Sequence, residues 1–364
     1  MKPVIVHVVQ HLKPGGIESF ALEFQRAAQA FFDVHIISLE NQQVANYWNN
    51  LEGFQDFIHM LDKKPGWHAS TLIQLKVFFE KIKPIYVHTH HIGPLIYGGL
   101  AAKLARVNHI IHTEHDAWHL ANVKQRLLQK IALTIVKPIY VADAKFVAKQ
   151  IKILMPLSNP IVITNGVDIN KFKPSSEHKK TLLKKASLPD TLKYIGCAAR
   201  LEPVKAHDVL IKALHQLPQN IGLLLAGTGS MQGELQKLIF QLKLDNRVFF
   251  LGHIDDMTNF YPLLDVFCLS SNNEGLPLAP MEAQACGVPA VLTDVGGCKE
   301  AVCSKTGIIV QPNNVDMLSN ALRKTLNQNY NDSPREFIKN KRSIDKMINQ
   351  YISLIQSDLR WKLC

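Results

Sequence analysis

A chain of 364 residues, 47% hydrophobic and only 20% charged, has apolar surface enough for two cores and too little charge to stay disordered. Its net charge of +11 points to an anionic partner: nucleotide phosphates, an acidic membrane surface or nucleic acid. The sequence has no zinc-finger spacing, RNP-type aromatic motif or long basic tail, which argues against nucleic acid.

The six cysteines (Cys197, Cys268, Cys286, Cys298, Cys303, Cys364) include no C-x2-C pair and read as small buried residues of a reducing cytosol. No run reaches the roughly 18 uncharged apolar residues of a membrane span, because Lys103 and Arg106 interrupt the apolar stretch 95–111.

Val4-Ile5-Val6-His7-Val8-Val9 is too short an apolar run for a signal peptide and suits a buried parallel strand. The loop Lys13-Pro14-Gly15-Gly16-Ile17-Glu18 follows, then an amphipathic helix with Phe20, Ala21, Phe24, Ala27, Ala28 and Phe31. Glycines there let backbone N–H groups approach a phosphate at a helix start; on these residues alone the loop is equally an ordinary turn. Strands over 34–39, 85–90 and 109–116 alternate with helices over 72–81 and 94–104, the pattern of a doubly wound parallel sheet. Such sheets take ligands beyond the carboxyl ends of their strands, and His88, His90, His91 and His115 fall at or near such ends.

With no H-E-x-x-H and no accompanying carboxylate pattern, no metal site is expected, and most of these histidines read as core-edge or solvated residues. Residues 118–137 read as one helix, with Leu120, Leu127, Leu128 and Ile131 apolar and Lys124, Arg126 and Lys130 basic. It either packs on its own domain or lies on a membrane surface. Val141-Ala142-Asp143-Ala144 and residues 146–153 add a strand and a helix.

Residues 160–163 lead as a strand into Asn165-Gly166, a dipeptide that readily takes positive φ, and the lysine-rich stretch to Asp190 has the character of a linker. A second alternating set follows in the segments 194–198, 221–229 (closing on a Gly227-Thr228-Gly229 turn), 248–254, 266–269, 290–297 and 306–310. Each half of the chain thus reads as a Rossmann-type domain. Arg200 and Lys205 lie on the loop beyond 194–198, where two fixed cations suit a diphosphate; by themselves they read more readily as surface cations on a basic protein.

Beyond 266–269, Glu274 stays on a loop. Glu282 falls in the first turn of a short helix introduced by Pro277 and Pro280 and stopped at Cys286-Gly287. Two carboxylates so placed can grip two parts of one polar ligand, while the N–H groups of the helix start hold its phosphate. The plainer reading, a loop acid and a capping-box acid, fits less well because the cap position would be Ala279, which has no acceptor. Residues 343–355 close the chain with helical periodicity.

Glu274-x7-Glu282 followed by Ala-x-Ala-x-Gly-x-Pro resembles the E-x7-E signature of the retaining glycosyltransferases of family 4. Gly15-Gly16-x-Glu18 is similar to that family's G-G-x-E loop, and Thr113-Glu114-His115 to its acceptor-side histidine motif. Asn165-Gly166-Val167-Asp168-x3-Phe172 is similar to its domain-crossover sequence, and Arg200-Leu201-x3-Lys205 to its phosphate-binding motif. Asp116 and Ala206 stand where glycine is common.

The resemblance implies an α/β architecture of GT-B type, with two Rossmann-like doubly wound parallel-sheet domains facing a cleft. Residues 1–166 would form the acceptor domain, with a terminal helix 343–364 packing back on it, and residues 167–342 the donor domain. It implies a retaining, metal-independent transferase with no cofactor. Such an enzyme moves a sugar from a nucleotide-diphosphate sugar, UDP by preference, to a glycan or lipid-linked acceptor in lipopolysaccharide, capsule or other surface-glycan synthesis. The catalytic group would be Arg200, Lys205, Glu274 and His115, and Glu282 would take the ribose. Gly15, Gly16, Asn165, Gly229, His253, Ile254, Gly275, Leu276, Pro277 and Leu278 would complete the donor-binding set. The expected location is the cytoplasm, peripheral to the inner face of an anionic membrane. A catalytically inactive nucleotide-sugar-binding subunit or scaffold is the alternative.

Overall fold

Short apolar runs alternating with amphipathic helices leave each strand buried on both faces, and that favours parallel pairing. The computed structural model describes residues 2–13, 15–40, 53, 55–328 and 333–356. Pro14 of the glycine loop, and residues 357–364 of the expected terminal helix with Cys364, lie outside the described residues. The chain divides into two compact units, Met1–Asn165 with Ile344–Cys364, and Gly166–Ser343.

The first unit holds β1 (Val4–Val9), β2 (Asp33–Ser38), β3 (Ile58–Met60), β4 (Tyr86–His90), β5 (His109–Glu114), β6 (Ile139–Ala142) and β7 (Ile161–Val162). They form one parallel sheet in the order β3-β2-β1-β4-β5-β6-β7. β1 feeds two cores, as its period of two requires. Ile5 packs with Phe20, Phe24, Tyr86 and Ile111 on one face, Val6 and Val8 with Leu75, Phe79 and Leu95 on the other. The helix Ile344–Gln356 completes the first of these: Ile344, Met347, Ile348, Tyr351 and Ile352 recur at helical spacing and join Phe20 and Phe24.

Residues 118–137 do not make one helix. A 3-10 turn Trp118–Ala121 ends at Asn122, whose side chain accepts from the Lys124 and Gln125 N–H groups at 3.0 and 3.3 Å and caps a new helix, Val123–Val136. Nor does its apolar stripe pack inward. Gln129, Ala132 and Val136 are buried, whereas Val123, Leu127, Leu128, Ile131 and Ile135 are 47% to 65% exposed. Among the described residues no helix is long and apolar enough to cross a membrane. β3 has no counterpart among the expected elements, because three half-buried residues give too little alternation to read.

The second unit holds β8 (Lys193–Ala198), β9 (Ile221–Ala226), β10 (Val248–Gly252), β11 (Val266–Leu269), β12 (Ala290–Thr293) and β13 (Ile308–Val310), again all parallel, in the order β10-β9-β8-β11-β12-β13. This repeats the order of the first six strands of the other unit. In each sheet the winding reverses beside the unit's first strand, between β1 and β4 and between β8 and β11. A doubly wound sheet takes its ligand at such a reversal.

Candidate active site

In the second unit, two loops leave the carboxyl ends of β8 and β11 and are stitched together by serines. Ser270 Oγ donates to the carbonyls of Ala206 (2.9 Å) and Lys205 (3.2 Å), and the Asn272 N–H donates to Val204 O (2.8 Å). Lys205 Nζ and Ser271 Oγ both donate to Glu274 Oε1, each at 2.6 Å. Ser271 is held in turn by its own carbonyl, which accepts from Thr293 Oγ1 at 2.6 Å. Ala206 has φ of 48°, which explains why glycine is at home there.

From the far side the loop after β12 presses on the same backbone. Gly296 sits at φ of 55°, and a Cβ there would stand 1.8 Å from Glu274 O. Gly297 N–H donates to Gly275 O at 2.7 Å. Leu276 and Pro277 are buried, and Leu278 rather than Ala279 caps the helix Ala279–Ala285. Glu282, in that helix, accepts a short hydrogen bond on Oε2 from the hydroxyl of the fully buried Tyr261.

Arg200 is exposed on the loop beyond β8. Glu202 beside it is held below the usual carboxylate range, chiefly by the Ser230 hydroxyl and N–H and further by the Arg200 charge. Gly229 packs under this loop: a Cβ there would lie 2.4 Å from Leu201 O. His253 is exposed after β10 with Nε2 3.2 Å from Asp255 Oδ1, and Ile254 is half-buried.

In the first unit, Gly15 is extended ahead of the helix Gly16–Ala28, and its carbonyl accepts from the Ser19 N–H at 2.9 Å. A Cβ at Gly15 would meet Glu18 Oε2 at 2.4 Å, whereas Gly16 faces open space. His115 and Asn165 meet on one carboxylate, Asp143 Oδ2, at 3.1 and 2.9 Å. The other ring nitrogen of His115 lies 3.0 Å from His90 Nδ1, and His90 Nε2 lies 3.0 Å from His7 Nδ1. With Asp143 ionised and accepting, His115 carries its proton on Nδ1, and each ring behind it donates from Nδ1 in turn.

His7, His88, His90 and His112 are therefore core residues, at most 1% exposed, not core-edge or solvated ones. Burial pushes His7 down to about 3 and, with neighbouring rings, His88 and His90 well below their ordinary range. As neutral imidazoles they keep hydrogen bonds that a core tolerates. His88 Nε2, for instance, meets Thr113 Oγ1 at 2.7 Å.

A second cluster surrounds Glu114. Burial favours its acid form, but the rings of His112 and His91, 3.5 and 3.6 Å from its oxygens, win and hold it far below the usual range. Burial alone would lower His119; the Asp116 hydrogen bond and the Glu114 charge instead lift it to about 9. Among the described residues two groups bring potential metal-ligand atoms within 4.8 Å: His7, His88 and His90, and His91, Glu114 and His119. The first offers three neutral rings and no carboxylate. In the second an ion would have to displace protons that His91 and His119 carry beside Glu114 and Asp116.

Ser271, Tyr261 and Asp143 escape a sequence reading of the site, and His90 enters it only by its place near a strand end. Ser271 lies three residues from Glu274 and was findable by position. The Tyr261–Glu282 contact spans 21 residues and leaves no local signal.

The family model described as "Glycosyltransferase Family 4" matches residues 14–171, and that described as "Glycosyl transferases group 1" matches residues 178–344. The GDP-mannose-dependent monoacylated alpha-(1-6)-phosphatidylinositol monomannoside mannosyltransferase of Corynebacterium glutamicum is 31% identical over 86% of this chain and 85% of its own length. The UDP-Gal:alpha-D-GlcNAc-diphosphoundecaprenol alpha-1,3-galactosyltransferase of Escherichia coli is 25% identical over 96% and 97%. Among solved structures, a glycosyltransferase from Rickettsia africae superposes with a TM-score of 0.82, at 22% identity over 99% of this chain and 100% of that one. Anabaena HepE in complex with UDP and glucose gives 0.81, at 21% identity over 98% and 99%.

Proposed function

The chain belongs to the group 1, family 4 glycosyltransferases, and from that premise we propose that it moves a sugar from a UDP-sugar to a lipid-linked or other surface-glycan acceptor, retaining anomeric configuration, with no divalent ion at the diphosphate. The observation that carries this reading is the Lys205–Glu274–Ser271 cluster, with Arg200 on the neighbouring loop, at the winding reversal between β8 and β11. On donor binding the Lys205–Glu274 pair separates: the lysine turns to phosphate and the carboxylate to sugar hydroxyls. Glu282 takes the ribose hydroxyls, His253 and Ile254 flank the base, and the backbone N–H groups of residues 275–278 meet sugar and phosphate.

Negative charge grows on the diphosphate as the glycosidic bond breaks, so Arg200 and Lys205 stabilise the transition state more than the ground state. A donor phosphate oxygen takes the acceptor proton on the same face, which needs no separate base. His115 and Asn165, fixed by Asp143, and the backbone at Gly15, Gly16 and Gly229 complete the substrate contacts in this reading. The Corynebacterium relative is named for GDP-mannose, so GDP-sugars are the competing donor class.

A thermal-shift panel of nucleotide sugars identifies the donor as the one that raises the melting temperature. With it, Arg200→Ala lowers kcat by roughly 10²–10³ with the fold intact. Near-normal turnover removes the assigned role, and a strict requirement for Mg²⁺ or Mn²⁺ overturns the metal-free mechanism.

A further inference from the structure

The helix carrying Glu282 is fixed at several points along its length. Arg335 donates to Ala285 O, the last carbonyl of the helix, and to Phe172 O and Ile169 O at 2.7 Å each. Gln284 Nε2 donates to Ala301 O at 2.7 Å, and its Oε1 accepts from the Cys303 N–H at 2.7 Å. The backbone of Glu282 is thereby placed. These bonds place the backbone and not the rotamer of a carboxylate that lies three torsions out, and ordering such a side chain on binding costs rotamer entropy.

Tyr261 acts on the side chain itself. Its ring is 0% exposed and wedged edge-on between Phe172 (5.8 Å), Phe260 (5.6 Å) and Phe267 (6.1 Å), so its hydroxyl has one position available. That hydroxyl donates to Glu282 Oε2. Hydrogen bonds to an ionised acceptor are the short, strong kind. Burial and the adjacent Glu282 charge both keep the phenol protonated, so it remains a donor. Phe172 belongs to the Asn165–Phe172 motif, so this wedge links that motif to the second acid of the E-x7-E pair.

We propose that Tyr261 is a positioning residue: it presents Glu282 in one rotamer, as a hydrogen-bond acceptor, to the vicinal hydroxyls of the nucleotide ribose. The assignment rests on the reading of Glu282 as the ribose contact given above. A pre-set carboxyl acceptor spares the ordering cost on binding and favours a neutral diol over a phosphate, whose negative charge it does not attract.

Affinities of the full-length chain for UDP, GDP and inorganic diphosphate, measured by isothermal titration calorimetry, test this. Tyr261→Phe keeps the ring and removes only the hydroxyl. It is expected to weaken whichever nucleoside diphosphate binds the wild type about tenfold and to leave inorganic diphosphate, which lacks ribose, unchanged. Glu282→Gln should weaken the nucleoside diphosphate as well, and Tyr261→Phe should add little in that background.

Equal loss for the nucleoside diphosphate and inorganic diphosphate would assign Tyr261 a packing role only and overturn the proposal. So would a wild-type affinity in Tyr261→Phe beside a weakened Glu282→Gln, which leaves the reading of Glu282 standing. If Glu282→Gln itself binds like wild type, the ribose assignment falls and the proposal with it.

Discussion

Buried imidazoles couple the stability of the first unit to pH. His7, His88 and His90 stay neutral when folded, whereas the unfolded chain takes up a proton near pH 6.5 at each. Their folded pKa values are depressed, so the unfolded state binds more protons below about 6.5, and stability falls as pH drops from there toward the folded value of about 3 for His7. Each such ring contributes a slope of about 1.4 kcal/mol per pH unit in that window. His119 runs the other way: its pKa is raised to about 9, so its contribution is whole below 6.5 and fades as pH climbs through 9. Urea midpoints measured across pH should therefore peak near neutrality and fall faster on the acid side. A midpoint flat from pH 7 to pH 5 would mean that these rings charge freely in the folded chain. That His88 and His90 stand two apart and so share a face of their strand was legible, whereas His7 joins them through the pairing of β1 with β4. Their burial was not legible, because a histidine inside an apolar run reads alike at the rim and in the core.

At the scale of elements, two amphipathic helices show the limit of periodicity. Ile344–Gln356 buries the face its spacing marks, while Val123–Val136 buries Gln129, Ala132 and Val136 and leaves its larger residues outside. The same pattern serves both, since a sequence shows that a stripe exists but not what covers it. Exposed Leu127, Leu128, Ile131 and Ile135, bordered by Lys124, Lys130 and Lys137, have the make-up of a helix lying on an anionic bilayer. Leu127→Glu with Ile131→Glu should abolish co-sedimentation with phosphatidylglycerol vesicles at low salt while leaving the melting temperature within a few degrees of wild type. Equal sedimentation of both proteins would show that this helix face does not hold the chain to a membrane. The loops were more legible than this helix, because Asn165-Gly166, Gly229 and Pro277 are residues whose backbone chemistry limits what they can do.

Across the whole molecule, the two doubly wound sheets were readable from strand–helix alternation alone, and their common strand order was not, since order is set by contacts far apart in sequence. The terminal helix is the clearest such contact. Tyr351 is fully buried among Phe20, Phe24 and His88, and its hydroxyl lies 2.9 Å from Thr113 Oγ1. A chain ended at Ser343 should therefore lose the cooperative unfolding of the first unit, because that helix buries five large side chains, each costing about 2–5 kcal/mol when removed. The second unit, whose residues all remain, should keep its own transition. Calorimetry of the shortened chain checks this, and a first-unit transition at its original temperature would show the helix to be dispensable.

A nascent polypeptide leaves the ribosome from its amino end, so domains ordinarily mature in the order in which they are made. Here the earlier of the two sheets lacks a wall of its core until residues 344–356 are translated. The second sheet has all its strands before that helix is made, and the first unit must wait, exposed to chaperones and proteases, for residues 344–356.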